Sequence, residues 1–164
     1  MNSPGPSSIA ATLTELVRQV RSGTLEILAA ADERWLTWAP PGTSNHILWH
    51  AGHALWLGDV LGVELITGQS ELPPGWPETF GMDCRPVGET NRWPSRAEVD
   101  RLLRQQAKRL IKLLGELPPE RLEIPSGDGS RTLAGRILHG LHDEARHQGE
   151  MYLLWKMCRA IPAD

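Results

Sequence analysis

Four stretches of the chain carry apolar residues at helical spacing, and no stretch alternates apolar and polar residues as a half-buried strand does. That pattern predicts an all-α fold, a bundle of four helices. The first stretch covers residues 7–36, with Leu13, Leu16, Val17, Val20, Leu25 and Leu28 as its stripe. Ser7 or Ser8 can cap it, and Pro40, Pro41 and Gly42 stop the chain beyond it. Thr43 or Ser44 then caps a second helix over 45–68, ending near Gly68. Ser95 and Glu98 form a capping box for a third, striped by Leu102, Leu103, Leu110, Leu113 and Leu114 and closed by Gly115 and Pro118–Pro119. Thr132 caps a fourth, running to about Arg159. Residues 69–94 hold Pro73, Pro74, Pro77, Pro86 and Pro94 and read as a long irregular connection, the kind that covers a site. Its length allows helices two and three to run parallel through a crossover. The 164 residues are expected to form one domain, 1–164.

Composition narrows the partners. A net charge of −3 with dispersed Lys and Arg gives no basic face for nucleic acid. No apolar run reaches the ~18–20 residues of a membrane span. "MNSPGPSSIAATL" lacks the basic start and apolar core of a signal peptide, so a cytoplasmic protein is expected. Cys84 and Cys158, far apart and without a CxxC partner, are expected to stay reduced. Of seven tryptophans, Trp76 and Trp93 fall in the proline-rich connection, where they either line a pocket or lid the core.

All six histidines fall in two short stretches: His46, His50 and His53 in "NHILWHAGH", and His139, His142 and His147 near "HDEARHQGE". Asp143 and His147 are i and i+4, so at about 100° per residue they project from one helix face a turn apart. That spacing lets a carboxylate and an imidazole meet one ion. His142 and His147, i and i+5, diverge by roughly 140° on the same count. His139 precedes Asp143 by four and suits an outer ligand or hydrogen-bond partner. His50 and His53 share a face of the second helix, with His46 a turn earlier. Two such helices facing each other can assemble a His, Asp, His triad with coordination positions left open, as a catalytic metal requires.

"TSNHILWHAGHALWLGDVLG" together with "HGLHDEARHQGEMYLLWK" resembles the DinB/YfiT-like superfamily of metal-binding four-helix bundles. The family pattern ends in His, any residue, Gly, then Gln or Glu; "HQGE" places that histidine at His147. Four residues earlier the family has His, or Glu in the mycothiol-dependent maleylpyruvate isomerases, where this chain has Asp143, with His142 as the fallback. Measured from Thr43, the helix-two ligand falls on His50; aligned on the tryptophan and Gly-His of some members, it falls on His53, the preferred of the two.

The resemblance implies a divalent metal, zinc or nickel with iron as a further option, held by His53 or His50, Asp143 and His147, and a homodimer. It implies a transferase or isomerase in which a low-molecular-weight thiol attacks an electrophile, with Arg146 suited to a carboxylate of the thiol. Glu150, three after His147, suits a ligand-orienting or proton-accepting role. Two other readings stay open. One is a metal-dependent hydrolase with Glu150 or Glu144 as base. The other is a non-catalytic metal-binding or stress-response bundle.

Overall fold

In the computed structural model, which describes residues 8–84 and 93–161, four long helices carry the fold. They are α1 (Ser8–Ala30), α2 (Ile47–Gly58), α5 (Arg96–Glu116) and α6 (Leu133–Ala160); α3 (Glu64–Thr67) and α4 (Trp76–Phe80) are short. A two-residue hairpin, β1 (Pro125–Ser126) with β2 (Arg131–Thr132), precedes α6. Paired contacts set the directions. Arg21 meets Leu103 and Gln106 while Ala31 meets Arg96, so α1 and α5 are antiparallel. Arg21 meets Glu144 and Ala30 meets Trp155, so α1 and α6 are parallel. Gln106 reaches the Leu55 carbonyl and Leu110 lies beside Gly62, so α2 and α5 run parallel, as the long crossover allows.

The caps at Ser95 and Thr132 form as expected, each side-chain oxygen accepting from the amide three residues on. Other boundaries differ for physical reasons. The first helix ends at Ala30 because the Asp32 side chain accepts from the Arg34 amide and opens a separate 3-10 turn, Glu33–Trp35. Ser7 lies outside the described residues, and Ser8 is the first helical residue. The second helix is capped by His46, not Thr43 or Ser44: His46 is extended and its Nδ1 accepts from the Trp49 amide. That helix continues through a π-helical turn, Asp59–Val63, into α3 and stops at Gly68 in the left-handed conformation (φ 84°). The connection is not wholly irregular. Gly75, with φ 81°, opens α4, whose Trp76 and Phe80 are buried; Pro86 lies outside the described residues.

Two apolar clusters fill the bundle. One, around Leu28, Ile47, Leu48, Trp49, Phe80, Leu103 and Met151, packs beneath the histidines. The other, around Leu13, Val17, Leu110, Leu114, Leu133 and Ile137, closes the opposite end. Among the described residues no helix is long and apolar enough to cross a membrane.

Candidate metal centre

The close approach of α4 to α2 shapes the site. A Cβ at Gly52 would lie 2.2 Å from the Phe80 ring, so only glycine admits Phe80 there. The Trp76 indole N–H anchors α4 by donating to the Gly52 carbonyl at 3.1 Å. This docking sets the Phe80 carbonyl oxygen 2.6 Å from His53 Nδ1, which therefore carries the proton. His53 Nε2 is left as a bare lone pair, 3.7 Å from Asp143 Oδ2.

From α6, His147 supplies the next donor. Its Nδ1 lies 2.7 Å from Glu150 Oε2 and 2.8 Å from His50 Nδ1, while its Nε2 lies 3.1 Å from Asp143 Oδ2. The Nε2 atoms of His53 and His147 converge on one oxygen of Asp143. Three acceptors within 4.8 Å of one another suit a cation in composition and spacing. A second grouping of His50, His147 and Glu150 meets the same limit on the Nδ1 side of His147. Trp49 walls the cluster, stacked on His53 at 4.6 Å between centroids and edge-on to His50 and His147.

The i, i+4 pair and both helix-two histidines thus come together. His50 stands behind His147 and away from the His53–Asp143 side. His139 and His142 are exposed and belong to neither grouping. His46, the helix cap, meets the Trp93 ring edge-on instead of joining the donors. Trp76 is core; Trp93 is half-buried against His46 and Phe80. Arg146 is 68% exposed and pairs with Asp143 Oδ1 at 3.3 Å. Glu144 faces elsewhere: it is buried, paired with Arg21 and accepting from Thr24 Oγ1 at 2.7 Å, so it is not placed to act as a base here. Sequence reading did not find the Phe80 carbonyl, which has no side-chain signature, or the Trp49 wall.

Burial disfavours the charged imidazoles. It is the chief cause lowering His50 to about 3, helped by His147, His46 and His53, and it lowers His46 to about 4 against the Leu36 backbone, which accepts from the ring and raises it. His53 is lowered for the same reason, opposed by the Phe80 carbonyl.

A cleft of about 480 Å³ adjoins the cluster at His50 and Glu150, walled by the 40–45 turn and by Leu153, Leu154 and Met157 of α6. A larger cavity of about 620 Å³, between Trp35, Trp155 and Cys158, touches none of the clustered residues, so the smaller cleft is the one placed for chemistry.

A four-helix bundle holding two histidines and a carboxylate face to face defines a metal-competent bundle. The family model described as the DinB superfamily matches residues 16–151, and the chain belongs to that superfamily. Among solved structures, the crystal structure of a conserved protein of Enterococcus faecalis is similar with a TM-score of 0.57, covering 90% of this chain and 95% of that one. At 17% identity, that likeness concerns the fold alone. No curated protein matches the chain.

Proposed function

We propose that this protein binds a divalent metal through His53 Nε2, Asp143 Oδ2 and His147 Nε2 and uses it as a transferase or isomerase acting with a low-molecular-weight thiol. The observation carrying this reading is the approach of His53, Asp143 and His147 to ligand spacing, with a cleft opening at the neighbouring His50 and Glu150. A bound divalent ion supplies positive charge that favours a thiolate over a thiol at neutral pH. The protein's part is to hold and orient. The Phe80 carbonyl fixes the His53 tautomer, and Glu150 and His50 fix that of His147, the outer partners that ligating histidines use. The cleft is where the thiol and its electrophile would meet. Zinc suits a set of two imidazoles and a carboxylate; nickel or iron are the next choices.

The test is metal content of untagged protein purified without added metal, repeated on His147→Ala, followed by assays of thiols with electrophiles. Near-stoichiometric metal absent from the variant, and turnover needing both metal and thiol, is the expected result. A second reading, metal-dependent hydrolysis, draws on Glu150, whose carboxylate lines the cleft 2.7 Å from His147 and is placed to take a proton from water. Turnover without thiol would favour it. Metal that only raises thermal stability would leave a non-catalytic bundle.

The assembly belongs to the same proposal: one domain over 1–164, in the cytoplasm, as a homodimer. Sedimentation as a monomer at micromolar concentration would remove the dimer.

A further inference from the structure

Resting on the metal-and-thiol reading, we infer that the cleft selects a thiol that also bears an ammonium group, and that Glu150 recognises it. Among the described residues lining the cleft, Glu150 is the only one with a formal charge, and no Lys or Arg is among them. Its contacts to His147 and His50 both use Oε2, at 2.7 and 3.3 Å, and the side chain is 55% exposed, so Oε1 remains for a ligand. The nearest α6 cation, Arg146, is held on the outer oxygen of Asp143 and does not line the cleft. Leu153, Leu154 and Met157 supply the wall for a short carbon chain.

A carboxylate on the thiol would set like charges side by side against Glu150, which complementarity disfavours, whereas an ammonium would not.

Two thiols of equal chain length and opposite charge test this: 2-aminoethanethiol and 3-mercaptopropionate, titrated calorimetrically into zinc-loaded protein. The zinc content of each preparation is measured first. We expect the amine to bind roughly tenfold tighter, an advantage that shrinks with salt. Glu150→Gln should bring the two within about threefold of each other on the same grounds. Because Glu150 also touches His147, a second variant, Ser44→Lys, places a cation in the cleft away from the donors and should reverse the order. Equal binding to the parent overturns the inference while leaving the thiol reading standing. So does a preference for 3-mercaptopropionate; its loss in Arg146→Gln would assign recognition to that arginine. Zinc-loaded protein that binds neither thiol overturns both.

Discussion

Two polar clusters grip α6 on two of its faces, one residue apart in sequence, and they are chemically unlike. Asp143 and His147 turn toward α2, whereas Glu144 and Gln148 turn toward α1 and α5. On the second face donors meet acceptors across three helices. Arg21 gives Nη1 to the Leu103 carbonyl and Nη2 to Gln106 and Glu144, Thr24 donates to Glu144, and Gln148 donates to Thr24 and the Val20 carbonyl. Gln106 completes the set by donating to the Leu55 carbonyl at 2.8 Å. On the first face lone pairs converge and a donor is missing. A balanced buried network is architecture, holding the rotation of a helix. A network short of one positive charge is a place for a guest. The two lie side by side because the first fixes the angle at which the second presents its ligands.

The sharpest way to break this contrast is His147→Ala. It should lower zinc affinity by more than the 10–100-fold that loss of an outer partner costs, read by competition with a chromophoric chelator. Unchanged affinity would mean the open cluster is not the site. Next comes the closed cluster. Arg21→Met leaves Glu144 buried without its cation and should cost about 3–5 kcal/mol in urea unfolding, whereas Arg21→Met with Glu144→Met should recover most of that. If the double variant folds but no longer takes up zinc, the two clusters are one functional unit.

A smaller effect is expected from chelation. Protein held at about 100 times its dissociation constant for zinc gains about 2.7 kcal/mol. Stripping the metal should therefore lower the melting temperature by about 5–10 °C in the parent and leave His147→Ala unmoved. The smallest effect concerns His46, which neither cluster uses. Its folded value of about 4 lies below the ordinary 6.5, so the unfolded chain takes up a proton first as pH falls. Its contribution is whole above pH 6.5 and is lost progressively down to about pH 4. In metal-free protein the loss between pH 6 and 5 should be about 1 kcal/mol, and His46→Asn, which keeps a capping acceptor, should remove that part of the slope. A slope equal in both proteins would sink this assignment.

What the sequence made legible was what short range decides. Ser95 and Thr132 cap where expected because a cap depends on three residues, and Asp143 and His147 face one way because a helix turn dictates it. The uses of Glu144 and Phe80 were not legible. Glu144 looked like a base on the ligand row, yet its partner Arg21 sits 123 residues away on α1, a contact made only by packing. His46 was misplaced because a histidine acceptor at a helix cap competes with the more usual Thr43 and Ser44 just before it. The choice between His50 and His53 was open for a related reason. Both are buried on α2, and their nitrogens are distinguished by contacts from other elements, the Phe80 carbonyl at His53 and His147 with Glu150 at His50.

That carbonyl has a consequence for any mutational survey of the site. Every amino acid brings one, so no substitution at position 80 deletes the group that orients His53, and a side-chain scan there would report the loss of the buried ring instead. The vulnerable position is Gly52, which contacts no donor nitrogen. One added methyl there would collide with the Phe80 ring, push α4 outward and free His53 to turn its other nitrogen inward.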